Sequence, residues 1–265
     1  MYEEFYGLRE KAFNKTPDPK FLYQSSKHAE ALARLQHAVE EQDFVLLTGE
    51  IGSGKTTLSR ALIDSLNGGY HPALIINPRL SPSQLLRTVA LRLGVKDAGR
   101  YRHDILEGIN ARLYELYEAG RRSVLIIDEA QLIPGRATFE ELRLLTNFQL
   151  DDRNLLALVL MGQTELKERL ERRPYRALRQ RIGMQYHLGP LTAEETRGYV
   201  LHRLKVAGRD TPLFDDAALG ALFEHSGGVP RRINIIAGNA LVEGFGRDAE
   251  VIGAEIIEDV ARDGA

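Results

Sequence analysis

Two stretches of the chain carry residue types at spacings that chemistry would use. The first is Gly49-Glu50-Ile51-Gly52-Ser53-Gly54-Lys55-Thr56, followed by Thr57. Two glycines separated by four residues, then lysine and a hydroxyl residue, fit the phosphate-loop pattern, which arises by chance in roughly one chain of this length in two hundred. Such a loop works when its backbone N–H groups converge on phosphates at a helix N-terminus, so it must leave a strand and open a helix. In that setting Lys55 contacts the β- and γ-phosphates of ATP and Thr56 places its hydroxyl on Mg²⁺. The second stretch is Val124-Leu125-Ile126-Ile127-Asp128-Glu129, an apolar run that delivers two adjacent carboxylates. Asp128 would hold Mg²⁺ through water, and Glu129 would act as the base that polarises the attacking water. Two acids after a buried strand are also an ordinary strand end, and it is the loop upstream that favours the chemical reading. A kinase acting on a small acceptor would call for an arginine-rich lid and an acceptor pocket instead.

Three further positions could complete such a site. Gln163 follows the apolar run Leu155 to Met161 and could orient the lytic water from a strand tip, or simply be solvated. The stretch from Lys167 to Arg181 holds seven basic residues against two acids. It reads as a solvated helix face, as a surface that tracks DNA phosphates between Arg169 and Arg181, or as the source of an arginine supplied to a neighbouring subunit. Arg181, just before a strand, is the preferred finger, with Arg179 the alternative. In Gly227-Gly228-Val229-Pro230-Arg231, proline at a helix start can aim the Arg231 guanidinium back toward a nucleotide. Histidines 28, 37, 71, 103, 187, 202 and 225 show no metal-ligand spacing and read as surface or core residues.

These residues need a scaffold, and periodicity supplies one. His28 to Glu41 places Ala31, Leu32, Leu35, Ala38 and Val39 on one helical face, and Phe44 to Thr48 is then a short apolar strand. Further strands read at 73–76, 123–127, 155–161 and 184–188, with helices at about 54–67, 81–93, 103–119 and 137–149. Strands alternating with helices imply an α/β fold around a mostly parallel sheet. Ser81 with Gln84, and Thr192 with Glu195, are capping boxes at helix starts. Beyond Pro190 the strand patterns stop, and helices read at 193–206, 215–224, 230–245 and 253–262. The expected division is an α/β domain over 1–190, including an irregular N-terminal lead-in, and a helical lid over 191–265.

Composition excludes several classes. The 265 residues are 43% hydrophobic and 27% charged, ordinary globular usage rather than that of a disordered chain. Without cysteine there is no thiol nucleophile, thiolate metal site or disulfide. Lys plus Arg is 35 against 37 Asp plus Glu, so any DNA contact must be a local patch rather than a global field. The longest apolar run, Leu155 to Met161, is far short of the roughly 18 residues that cross a bilayer. The acidic, aromatic start lacks the pattern of a signal peptide, so the expected compartment is the cytoplasm.

Phosphate loop, Asp-Glu strand end, polar strand tip, arginine before a strand and Gly-x-Pro-Arg in a helical lid, in that order, resemble an AAA+ ATPase of the initiator and clamp-loader kind. That resemblance implies a five-stranded parallel P-loop NTPase core. It matches Lys55 and Thr56 to Walker A, Asp128 and Glu129 to Walker B, Gln163 to sensor 1, Arg181 to the finger and Arg231 to sensor 2. Gln163 departs from the Asn or Thr common at sensor 1. More narrowly, Phe5-Tyr6-Gly7-Leu8, Phe13, the segment Thr16 to Tyr23, His28 and Ala31-Leu32 resemble the ExeA/GspA, or general secretion pathway protein A, family. The family implies an ATP-dependent ring, a hexamer or similar, with nucleotide at subunit interfaces and a membrane-protein partner of a secretion or pilus system at the cytoplasmic face of the inner membrane. The same motifs occur in transposition ATPases, which use the ring on DNA. The chain stops where the lid should end, so it is expected to be either an excised ATPase domain or a free-standing member. The segment from Pro17 to Tyr23 is the expected neighbourhood of the adenine.

Overall fold

The computed structural model describes residues 1–14 and 18–264, so Thr16 and Pro17 of the resemblance lie outside the described residues. In chain order the elements are α1 (Tyr2–Phe5), α2 (Ser26–Glu40), β1 (Phe44–Gly49), α3 (Lys55–Ser65), β2 (Tyr70–Ile75), α4 (Pro82–Leu93), α5 (Arg102–Glu118) and β3 (Arg122–Ile127). There follow α6 (Gly135–Leu145), β4 (Leu156–Gly162), α7 (Thr164–Glu171), α8 (Arg176–Arg179), β5 (Met184–Leu188), α9 (Ala193–Val206), α10 (Asp216–Ser226), α11 (Pro230–Gly246) and α12 (Ala254–Gly264). They form two compact units, one from residues 30–49 and 58–188, the other from 1–29, 50–57 and 189–265.

The first unit is built on a five-stranded parallel sheet of order β2-β3-β4-β1-β5. Successive side chains of a strand point to opposite faces, and here the two faces bury separate cores. Leu46, Leu125, Ile127, Leu158 and Leu160 pack with α4, α5 and α6. Their neighbours Val45, Leu47, Val124, Ile126, Val159 and Met161 pack with Leu35 and Val39 of α2 and Leu58 and Leu62 of α3. Cover on both faces explains why these strands are continuous apolar runs rather than alternating ones. β2 begins at Tyr70, three residues earlier than its apolar run suggests, and Pro72 is tolerated because this edge strand pairs only with β3. α6 ends at Leu145, short of the expected 149, because Phe148 to Leu155 turns back on itself through a bridge between Gln149 and Asn154. Register aligns Ile127 with Leu160 and Gly162 with Thr48, so β3, β4 and β1 all end at one edge of the sheet.

The second unit is helical. Both capping boxes read in the sequence are formed, at the starts of α9 in this unit and of α4 in the first. The helical core joins Leu204, Leu222, Ile233, Leu241 and Ile257 with Tyr6, Leu8, Phe13 and Phe21 of the lead-in. The sequence reading attaches the lead-in to the α/β domain; in the structure its aromatics fill the core of the helices. Arg203 of α9 satisfies the backbone of this irregular segment where it is buried. Its guanidinium donates to the Ala12 carbonyl at 2.6 Å and to the Tyr199 hydroxyl at 2.8 Å, and lies over the Phe21 ring. No helix among the described residues is long and apolar enough to cross a membrane.

Candidate functional site

β1 is buried along its whole length and runs directly into the glycine loop. Gly52 and Gly54 adopt φ values of +82° and +101°, left-handed backbone that a side chain disfavours. The Ser53 N–H closes the turn on the Glu50 carbonyl at 3.1 Å. Lys55 opens α3 with Thr56 and Thr57 in the same first turn. It is only 5% exposed, and its ammonium donates to the Glu50 carbonyl at 2.7 Å and to the Ser53 hydroxyl at 3.4 Å. A buried cation over a loop whose backbone opens a helix is an arrangement that receives anions. Glu50 and Ile51 are exposed on the outside of the loop.

Two residues from outside the motif press on this loop within the helical unit. The Arg231 N–H, in the first turn of α11, donates to the Gly52 carbonyl at 3.2 Å, and a Cβ on Gly52 would sit 2.3 Å from Arg231 Cβ. The Arg231 side chain itself is exposed. His28 is buried, and its Nε2 lies 2.9 Å from the Ser53 carbonyl oxygen while its Nδ1 lies 2.7 Å from the Ser25 hydroxyl. Burial pushes the imidazole below the usual histidine range, a shift the Ser53 hydrogen bond partly opposes. The sequence leaves His28 a surface or core residue without metal-ligand spacing; the structure buries it and gives it a backbone carbonyl as partner.

In the α/β unit the acids close β3. Asp128 is 1% exposed and accepts the Glu129 N–H at 2.8 Å. Glu129 takes φ +54°, a left-handed conformation rare for a residue with a side chain, and then leads into a 3-10 turn over Ala130–Leu132. Strain of this kind persists where the surroundings hold it, and here they do. The Gln131 amide donates to Glu129 Oε2 at 2.5 Å, and the Gln163 amide reaches the same oxygen at 3.4 Å. Gln131 Oε1 in turn accepts the Gln163 N–H at 3.2 Å. Gln163 therefore does meet Glu129. The bridging Gln131 is not singled out by the sequence reading, although its place two residues after the acid is an available signal.

The arginines part company. Arg169 is not a surface cation: its guanidinium donates to the Ile133 carbonyl at 2.7 Å and lies over the Phe139 and Tyr175 rings. It leaves the expected Arg169–Arg181 patch and ties α7 to the turn after β3. Arg172, Arg173, Arg176, Arg179 and Arg181 are exposed, and among the described residues none has a side-chain ion pair or hydrogen bond. Arg179 ends α8 and Arg181 lies between α8 and β5. Arg173 and Arg176 share a shallow concavity with Arg136 and no acidic residue. α7 begins at Thr164 without a side-chain cap, a start that capping logic discounts; Leu166 and Leu170, one turn apart and buried, hold it instead. No group of three or more His, Asp and Glu among the described residues forms a stand-alone metal site.

A family model described as an AAA domain matches residues 37–170. General secretion pathway protein A from Aeromonas hydrophila is 44% identical over 257 residues, 95% of this chain and 46% of that protein, so the chain spans less than half the length of this relative. Among solved structures, the Aeropyrum pernix ORC1 protein in complex with DNA matches with a TM-score of 0.69 at 20% identity, over 96% of this chain and 69% of that one. The Thermotoga maritima RuvB Holliday junction branch migration motor matches with a TM-score of 0.60 at 22% identity, over 96% and 73% of the two chains. At these identities the two structures share the fold.

Proposed function

The chain belongs to the AAA domain family as a relative of general secretion pathway protein A, and from that premise we propose that it is an ATP-hydrolysing switch. The backbone of Gly49 to Thr57 and the Lys55 ammonium bind the phosphates of ATP, with Arg231 of the lid responding to the nucleotide. Thr56 and Asp128 would hold Mg²⁺; a hydroxyl and one buried carboxylate are the hard oxygen donors that this ion takes beside phosphate oxygens and water. When bound it neutralises charge on the phosphate oxygens. Glu129 accepts a proton from the attacking water, and Gln163 orients that water. The observation that carries hydrolysis, beyond binding alone, is the Glu129 carboxylate suspended between the Gln131 and Gln163 amides at the ends of β3 and β4.

We take residues 191–265 as the lid and Arg181, or else Arg179, as an arginine acting on nucleotide held by a neighbouring copy in an ATP-dependent ring, a hexamer or similar. The 44% identity to general secretion pathway protein A supports a partner in a secretion system; we extend this reading to a secretion or pilus membrane protein met at the cytoplasmic face of the inner membrane. A second reading, an ATP-dependent adaptor on DNA, is favoured by the exposed arginines 136, 173 and 176 around one concavity. Phosphate release from MgATP, with and without duplex DNA, tests both. Release lost in Lys55→Ala is expected, and no free phosphate from the wild type under either condition would sink the ATPase reading. Stimulation by DNA that disappears on charge reversal at Arg173 and Arg176 supports the adaptor. Arg181→Ala mixed with Lys55→Ala should recover turnover, because each supplies what the other lacks.

A further inference from the structure

The loop motif says nothing about what orients its peptide planes, and His28 is built to orient one of them. Ser25 precedes α2, and its hydroxyl oxygen accepts the His28 N–H at 3.3 Å as a helix cap. The same hydroxyl faces Nδ1 at 2.7 Å. At the other end of the ring Nε2 faces the Ser53 carbonyl oxygen at 2.9 Å. A carbonyl only accepts, so Nε2 carries the proton and Nδ1 accepts the Ser25 hydroxyl proton. Each polar atom of this buried pair is thereby satisfied in a single tautomer. The imidazole also lies against Gly54, where a Cβ would come within 2.8 Å of Nε2.

A trans peptide is planar, with its C=O and N–H on opposite sides, and among the described residues there is no cis bond. Holding the Ser53 carbonyl toward His28 therefore turns the Gly54 N–H the other way. We propose that His28 is a positioning residue for phosphate binding: by donating from Nε2 to the Ser53 carbonyl, it fixes the Ser53–Gly54 peptide so that the Gly54 N–H, not a carbonyl, faces the bound phosphates. Glycine at 54 has the backbone freedom to let this peptide rotate if it is not held. Burial keeps the ring neutral, so the single tautomer persists at ordinary pH. The proposal rests on the reading that this loop cradles a nucleotide.

The test is calorimetric titration of the full chain with MgADP. His28→Leu fills the site without a donor and should bind about ten- to a hundredfold more weakly, the loss of the Gly54 N–H hydrogen bond to a charged phosphate once its peptide is no longer held. His28→Gln, whose amide nitrogen reaches as far as Nε2, should stay within about threefold of wild type by the same scale. A purely structural role would cost both variants alike. Equal affinity in His28→Leu and wild type, or equal loss in both variants, overturns the positioning role. Absence of binding by the wild type would instead overturn the nucleotide reading. Should His28→Leu not fold, nitrogen-15 spectra of the wild-type imidazole decide: Nε2 protonated supports the proposal, and Nδ1 protonated refutes it.

Discussion

Replacing Gly52 by alanine puts a measurable load on the contact between the phosphate loop and α11. Two costs can be read from the geometry. At φ +82° alanine pays about 1–2 kcal/mol for a left-handed backbone. Its Cβ would also fall 2.3 Å from Arg231 Cβ, about 1.2–1.7 Å short of an ordinary carbon contact. A Cβ cannot rotate away, so the first turn of α11 must shift and the hydrogen bond from the Arg231 N–H to the Gly52 carbonyl is lost, about 1 kcal/mol more. The nucleotide-free variant should therefore be destabilised by about 2–3 kcal/mol, or about 5–10 °C in melting temperature for a chain of this size. Arg231→Gly removes the colliding atom. Alone it costs about 1 kcal/mol for glycine in a helix, and in the double variant the clash is gone, leaving the left-handed strain of the alanine beside that helix cost. Denaturant melts of the four proteins should give a favourable coupling of about 1 kcal/mol between the two sites. Strictly additive effects, or a Gly52→Ala protein that melts like wild type, would refute a loop packed against Arg231.

Other perturbations follow from the same contacts. Glu129→Gln should keep MgATP binding and slow phosphate release by a factor on the order of a hundred or more; equal turnover removes the assigned base. Gln131→Leu frees the Glu129 carboxylate, so kcat should drop about tenfold with KM little changed, and a rise in KM at constant kcat would count against it. Arg169→Ala should cost about 1–3 kcal/mol of stability through the lost Ile133 hydrogen bond and ring contacts, with DNA binding unaffected; the opposite pattern returns Arg169 to the basic patch. Burial lowers the pKa of His28, His71 and His202. The unfolded chain then binds protons at higher pH than the folded one, so stability is full above about pH 6.5 and declines as pH falls through the lowered folded values. Around His28 the charged neighbours Glu195 and Lys27 act in opposite senses. Melting temperature between pH 7.5 and 5 should fall less steeply in His28→Gln than in wild type, and identical slopes would exclude His28 from the effect.

The sheet was legible because its signal is local. Val124 to Ile127 and Leu155 to Met161 are apolar at every position, which only strands covered on both faces require, and the structure begins and ends them within two residues of the apolar runs. The phosphate loop was equally legible, since its glycines and Lys55 act through a backbone path that the motif itself encodes. What escaped the sequence was pairwise and distant. Gln131 matters because a 3-10 turn folds it back on Glu129. Arg169 reads as one more surface charge until Ile133, Phe139 and Tyr175 surround it. The lead-in gives little periodicity, because Tyr6, Phe13 and Phe21 join a core made by helices some two hundred residues away rather than one face of an element of their own. The loop glycines join the two kinds of information. A phosphate loop needs Gly52 and Gly54 for their positive φ, and that much is local. Each glycine also leaves room for a residue from elsewhere in the chain, Arg231 Cβ at the first and His28 Nε2 at the second. A side chain at either position would push out the residue that holds the loop, so the glycines are required even where the backbone strain could be borne.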